Sequence, residues 1–237
     1  RPKNEEKYEI KKIGILGAGM MGSGIAYVSA RAGIEVILKD VTIDGDKKGK
    51  SYSEELLKKA ISRGRSTEEK KQATLSKIIP TENPKDIEGS DLIIEAVFEN
   101  VDLKDKVTKE TEAVLGDDKI YGSNTSTIPI SLLAKSSKRP ENFIGIHFFS
   151  PVDKMPLVEI IVGDKTSDKA IAAAIDYTVA IRKVPIVVND SRGFFTSRCF
   201  GTYVSEGMFL LEEGVAPQIV ERIAIKKGMP VGPLAVH

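Results

Sequence analysis

Three glycines crowd into six positions at the end of an apolar run, in "KKIGILGAGMMGSGIAYVSARAGIEVILKD", residues 11–40. Glycine loses more backbone freedom on folding than any other residue, so this density asks for a chain that turns tightly or is approached closely. Residues 12–16 read as a buried strand, 20–32 as a helix and 35–38 as a second strand. A strand-helix-strand unit of about 30 residues is the span of a dinucleotide fingerprint. Gly17 then serves the turn, Gly19 lets the backbone come close to a pyrophosphate, and Gly22 lets the helix pack against the strand. Met20 and Met21 open the helix, whose free N–H groups and partial positive charge suit phosphates. Asp40 ends the stretch where a carboxylate accepts from both ribose hydroxyls and repels a 2′-phosphate, which selects NAD over NADP. A glycine-rich turn in an unrelated α/β domain explains the glycines alone, but not strand, helix and acid together.

The chain has 237 residues, 41% hydrophobic and 29% charged, an ordinary globular profile with room for one large domain, or for one domain and part of another. Its formal net charge of +1 offers neither the basic face of a nucleic-acid binder nor an acidic tail. No apolar run is long enough to span a membrane. The single cysteine, Cys199, has no internal disulfide partner, fits a reducing compartment and reads as structural. The chain opens on "RPKNEEKYEI", with neither methionine nor a signal-peptide pattern, as a fragment or a processed chain does.

Residues 44–76 read as a charged helix pair broken near Gly64, with Leu56, Leu57, Ala60 and Ile61 spaced for one face. "DLIIEAVFEN", "KIYGSNTS", "FIGIHFFSP", "LVEIIVG" and "PIVVND" read as strands, with helices over 101–115 and 167–182. From Gly193 the texture changes: "GFFTSRCFGTYVSEGMFLLEEG" and "APQIVERIAIKKG" read as two helices with no strand between them. The expected organisation is an α/β domain over 1–190 and the start of an all-helical domain over 191–237.

Candidate chemistry is sparse. Of two histidines, His237 is the last residue and His147 sits in "IGIHFFSP" at a strand end. A lone histidine beside apolar residues is more often a satisfied core residue than a catalyst. Strand ends in this fold face the ligand crevice, however, and imidazole is suited to take a proton from an alcohol near neutral pH. Glu159, in "PLVEII", is either an edge residue facing solvent or a carboxylate that orients an imidazole. "SNTSTIP" gathers Ser123, Asn124, Thr125 and Ser126 in one turn, as a helix cap before Ile128 or as a polar site. No metal-ligand set is expected.

In order, "GILGAGMMGSGIA", "IIEAVFEN", "SNTS", "GIHFFSPV", "MPLVEII" and "GFFTSR" resemble the motifs of the L-3-hydroxyacyl-CoA dehydrogenases of fatty-acid β-oxidation. The likeness covers nearly the whole chain from Lys12 and is strongest to the dehydrogenase portion of the multifunctional β-oxidation proteins. It implies a Rossmann-like NAD-binding domain with a helical insertion at 44–76 that helps hold a CoA thioester, followed by part of an all-helical C-terminal domain. The implied reaction is NAD-dependent oxidation of a (3S)-3-hydroxyacyl-CoA to a 3-oxoacyl-CoA, with His147 as general base and Glu159 as its partner. By the same resemblance Ser126 serves substrate and nicotinamide, Glu99 and Lys104 lie on the nicotinamide side, Ser150 meets the cofactor and Ser197 the substrate. Ser150 and Ser197 both stand where the family usually has asparagine, and a serine lacks the second donor of an amide.

The implied partners are an acyl-CoA substrate, a second copy through the C-terminal helices, and an enoyl-CoA hydratase segment in the longer chain. The implied compartment is the cytoplasm in a bacterium, and the mitochondrion or peroxisome otherwise. Two other activities fit the fold: a 3-hydroxy-acid dehydrogenase that needs no CoA, and a non-catalytic NAD-binding protein resembling the lens λ-crystallins. The motifs around His147 speak against the first, and the presence of both His147 and Glu159 against the second.

Overall fold

The computed structural model describes residues 1–41 and 43–236, with backbone only over 43–48; His237 lies outside the described residues. The chain begins with β1 (Lys12–Leu16), α1 (Met20–Arg31) and β2 (Glu35–Lys39), then α2 (Ile43–Ser62) and α3 (Glu68–Leu75). It continues with β3 (Ile78–Thr81), β4 (Leu92–Glu95), α4 (Val101–Glu112), β5 (Ile120–Ser123), α5 (Ile130–Leu133) and β6 (Phe143–Phe148). β7 (Leu157–Val162), α6 (Asp168–Ala180), β8 (Val184–Asn189), α7 (Thr196–Glu212) and α8 (Pro217–Lys226) complete it.

The strands form one sheet in the order β3-β2-β1-β4-β5-β6-β7-β8. The first six are parallel, β7 runs antiparallel to β6, and β8 is parallel to β7. Order 3-2-1-4-5-6 is the doubly wound dinucleotide arrangement, and its crevice opens at the carboxyl ends of β1 and β4, where the winding reverses. Helices cover a parallel sheet on both faces, so its inner strands are continuously apolar instead of alternating. Accordingly Ile13 and Ile15 in β1, Leu92 to Ile94 in β4, and Phe143, Ile144 and Ile146 in β6 are all buried. α1 and α6 lie over one face, where Ser29 and Tyr177 join their hydroxyls at 2.7 Å.

Local chemistry explains most boundaries. Asn100 starts α4 by accepting the Leu103 N–H at 2.9 Å, and Ser167 starts α6 by accepting the Ala170 N–H at 3.2 Å. α2 ends in a left-handed Gly64, with the Arg65 N–H closing back on the Ala60 carbonyl at 2.9 Å. Three elements differ from expectation, of which α5 is a single short turn. β3 is not among the expected strands, because Pro80 interrupts a short segment; it forms at the sheet's edge, where a missing N–H leaves no ladder partner unsatisfied. α7 begins at Thr196 and not at Gly193, because Gly193 and Phe194 adopt φ of +76° and +49°, which no right-handed helix allows.

The chain divides into two compact units, Arg1–Arg192 and Gly193–His237. Asp190 belongs to the first: its carboxylate accepts the Ile130 N–H at 2.9 Å and the Ser131 N–H at 2.8 Å, tying the end of β8 to α5. In the second, the Tyr203 hydroxyl donates to the Val231 carbonyl at 2.8 Å, and the Leu234 N–H donates to Glu221 at 2.8 Å. No helix among the described residues is long and apolar enough to cross a membrane. Asp190→Ala strips both acceptors from α5 and should lower stability by about 1–3 kcal/mol in urea unfolding, with an unchanged m-value.

Candidate active site

The β1–α1 junction rests on two backbone approaches that leave no room for a side chain. Gly17 has φ of +98°, and a Cβ there would lie 2.7 Å from the Ala96 carbonyl oxygen. A Cβ on Gly22 would lie 1.8 Å from the carbonyl oxygen of Gly17 itself. Gly19 is different. Its φ of −67° suits any residue, and a Cβ there would meet no protein atom within 4 Å. The fold therefore demands glycine at 17 and 22 but not at 19.

Gly19 lines a cavity of about 560 Å³ together with Ala18, Met20, Met21, Asp40 and Phe98. The first N–H groups of α1 precede its first internal bond, from the Ser23 N–H to the Gly19 carbonyl at 2.9 Å. Asp40 follows β2 and braces the glycine loop: Oδ2 accepts the Ala18 N–H and Oδ1 the Val41 N–H, each at 2.6 Å. Two carboxylate oxygens offer about four acceptor positions, so capacity remains for two hydroxyl donors. Open space at Gly19, a helix mouth and an acid at one end of the cavity fit a dinucleotide.

A second polar group forms where β4 and β5 end side by side, with Glu95 in register with Ser123. Glu95 is buried and accepts from Ser123 Oγ at 2.7 Å, the Val97 N–H at 2.8 Å and Lys104 Nζ at 2.7 Å. Lys104 also reaches Glu99 Oε2 at 3.3 Å and the Val97 carbonyl at 3.4 Å. The Asn100 cap makes this possible, since it starts α4 directly after Glu99 and so sets Lys104 one turn in, against the end of β4. Glu99 Oε1 accepts from Thr125 Oγ1 at 2.5 Å, the Ser126 N–H at 2.9 Å and Ser126 Oγ at 3.3 Å. Burial opposes the charge on Glu99, but the Thr125 hydroxyl, the Lys104 ammonium and the Ser126 and Thr127 N–H groups hold its carboxyl below the usual range. Thr125 also accepts the Ile128 N–H at 3.0 Å, so the turn is capped as well as polar.

The third group spans β6 and β7. Their antiparallel register sets His147 opposite Glu159, and Nδ1 lies 2.8 Å from Oε2. β7 is flanked by β6 and β8, so Glu159 is no edge residue; it is fully buried. An ionised carboxylate only accepts, which assigns the proton to Nδ1 and leaves Nε2 as the basic nitrogen. The His147 ring packs against Phe149 at 4.6 Å between centroids. Asn124 Oδ1 accepts the Phe148 N–H at 2.8 Å and so ties the Ser126 turn to the histidine strand.

Residues 12–191 match the family model for the NAD binding domain of 3-hydroxyacyl-CoA dehydrogenase, and residues 193–237 match that of its C-terminal domain. The chain belongs to the 3-hydroxyacyl-CoA dehydrogenase family. Its α/β sheet is the Rossmann-like fold of that family, and its dinucleotide is NAD. The chain is 44% identical over 230 residues to the fatty acid oxidation complex subunit alpha of Psychrobacter arcticus, covering 97% of this chain and 32% of that protein. It is 46% identical over 226 residues to the subunit of the same name from Idiomarina loihiensis, covering 95% and 32%. The chain thus spans about a third of the length of these relatives. Among solved structures, (S)-3-hydroxybutyryl-CoA dehydrogenase PaaH1 from Ralstonia eutropha superposes with a TM-score of 0.93 at 36% identity, over 96% of this chain and 81% of that one. The dehydrogenase part of multifunctional enzyme 1 from C. elegans superposes at 0.75 with 28% identity, over 98% and 54%.

In the structure the expected residues fall into distinct sets. Gly17, Gly19, Met20, Met21 and Asp40 line one cavity. Glu99, Lys104 and Ser126 share one network, and His147 pairs with Glu159. Lys104 is 2% exposed with its ammonium engaged by three oxygens, so its influence runs through Glu99. Ser150 is exposed and donates to the Met20 sulfur at 3.7 Å. Ser197 lies in the first turn of α7, in the second unit. Cys199, expected to be structural, is exposed in α7 and is no core residue. Two residues of the site are not among those the sequence singles out. Phe98 is 87% exposed and lines the cavity, and Glu95 anchors the second network. An acid closing an otherwise apolar strand, nine residues before a lysine, is the sequence signal for Glu95. No three-residue His/Cys/Asp/Glu group able to hold a metal occurs among the described residues.

The glycines separate fold from ligand. Gly22→Ala should lower the melting temperature, because backbone must move to admit the Cβ. Gly19→Ala should melt like the parent yet bind NADH at least tenfold more weakly in a fluorescence titration; unchanged binding would leave Gly19 without a ligand role.

Proposed function

We propose that the dehydrogenase oxidises the 3-hydroxyl of a (3S)-3-hydroxyacyl-CoA to a ketone, reversibly. The buried His147–Glu159 pair carries this reading, because it sets a basic imidazole nitrogen at the carboxyl end of a central strand. NAD, when bound, supplies the hydride acceptor. The chain's own residues hold the substrate and move the proton. His147 Nε2 takes the hydroxyl proton, and Glu159 holds the ring's orientation and stabilises the imidazolium as it forms. Ser126, exposed on its turn, is assigned to the substrate and the nicotinamide side, with Glu99 and Lys104 behind it and Ser150 across the glycine loop at Met20. Ser197 is assigned to the substrate on the strength of "GFFTSR". Asp40 is assigned to the adenosine ribose, and the helix mouth at Gly19 to Gly22 to the pyrophosphate.

The relatives named as alpha subunits of a fatty acid oxidation complex support a wider assignment. In it this chain is the dehydrogenase portion of a multifunctional β-oxidation protein that also carries a hydratase segment. Their bacterial hosts support a cytoplasmic setting. We assign residues 1–190 to the NAD-binding domain and 191–237 to the C-terminal one. Exposed Phe200, Met208 and Phe209 on α7 support association of that domain with further protein, a second copy included.

Two measurements test the site. NAD should bind much more tightly than NADP, since Asp40 would face the added phosphate; equal affinities in parallel titrations would remove Asp40 from the ribose. His147→Gln should abolish turnover while NADH affinity stays within a factor of about two, and Glu159→Gln should slow turnover by roughly 10²–10⁴. Wild-type turnover by the His147 variant in a 3-oxoacyl-CoA reduction assay would take the histidine out of the chemistry.

A further inference from the structure

Glu95, Lys104 and Glu99 line up as three charges at one end of the crevice. Lys104 Nζ lies 2.7 Å from Glu95 Oε1 and 3.3 Å from Glu99 Oε2. Among the described residues, the ion pairs of both carboxylates run to this one lysine. One ammonium between two carboxylates leaves one negative charge uncompensated. The amino end of α4 adds at most about half an elementary positive charge, so the group stays negative. Glu95 and Lys104 are 1% and 2% exposed, which shields their fields from solvent, while Glu99 reaches the surface next to Phe98 on the cavity wall. The hydrogen bonds that Glu99 accepts from Thr125 and Ser126 keep it ionised at neutral pH.

The sheet sets the place of this charge. Asp40 marks the adenosine end beyond β2, and the helix mouth of α1 marks the pyrophosphate. A dinucleotide laid across the switch point continues over the ends of β4 and β5, where Glu99 gathers the Ser126 turn. Its nicotinamide ring is cationic when oxidised and neutral when reduced. We propose that the Glu95–Lys104–Glu99 group tunes the site between the two redox states of the cofactor, its uncompensated negative charge favouring NAD⁺ over NADH. Glu99 acts directly, and Glu95 acts as a positioning residue that keeps half of the lysine's charge away from Glu99. The proposal rests on the reading of the crevice as the NAD site.

Calorimetric titration with NAD⁺, NADH and ADP-ribose tests it, because ADP-ribose keeps the adenosine, the pyrophosphate and the second ribose but carries no nicotinamide. Glu99→Gln and Glu95→Gln each remove one negative charge. Each should weaken NAD⁺ relative to NADH by roughly tenfold, with ADP-ribose affinity unchanged. The double variant Glu95→Gln with Lys104→Gln restores the net charge and should return the ratio toward that of the parent, which a purely structural network would not do. Retained ADP-ribose binding with an unmoved NAD⁺/NADH ratio in Glu99→Gln overturns the proposal, as does a double variant whose ratio stays with the single one. Failure of ADP-ribose to bind the parent chain would instead overturn the NAD site itself.

Discussion

Among the described glycines of the first unit, Gly22 makes the tightest backbone approach, and the β1–α1 junction is built on it. α1 starts so near the end of β1 that a Cβ on Gly22 would sit inside the Gly17 carbonyl oxygen. That contact aims the mouth of α1 over the point where the sheet reverses its winding, between β2 and β4 on either side of β1. The Gly17 N–H then donates to the Lys39 carbonyl at 2.7 Å, and the Ala18 N–H to Asp40 at 2.6 Å, so the loop is held from the neighbouring strand as well. Asp40, the acid proposed to meet the ribose, is thus also part of the brace for the glycine loop. Glycines at 17 and 22 serve this geometry, and Gly19, which packing does not require, is left to the proposed ligand role.

A parallel sheet brings residues together that the sequence keeps far apart. Leu16, Lys39, Glu95 and Ser123 end four strands in register, although they span more than 100 positions. Lys39, Glu95 and Ser123 gather at the carboxyl end of the sheet because every parallel strand ends there. The reversal at β7 adds the last element. It starts at that same end of the sheet and runs back beside β6, which puts Glu159 across from His147.

The βαβ unit, the order of the later strands and the two terminal helices were legible because each carries a period and a stop signal, and because spacing within the fingerprint is fixed by physics at short range. The role of Glu159 was not legible from its neighbours. An acid among apolar residues fits an edge strand as well as a buried one, and only the pairing with both β6 and β8 decides. β3 was hidden by Pro80, whose cost vanishes only at a sheet edge that local sequence does not reveal. Lys104 was legible as a member of the site through resemblance, but its burial was not. A lysine on an amphipathic helix is ordinarily solvated, and nothing within α4 announces that Glu95 waits beneath it.

Both buried carboxylates of the site carry a partner, and the partners differ in a way that suits their tasks. Removing charges from water costs several kcal/mol each, and even a good ion pair does little more than return that cost. Neither pair is therefore explained by stability; each holds a charge in place. Glu159 is paired with an imidazole, which in the proposed reaction gains and loses its charge as the proton is taken and returned. Glu95 is paired with an ammonium that three oxygens surround and that takes no part in the proposed proton transfer. The first arrangement follows the reaction, strengthening when the base is charged. The second is constant, so the field it sets at Glu99 and the Ser126 turn is already in place before any proton or hydride moves, and preorganised charge of that kind needs no rearrangement when the reaction occurs.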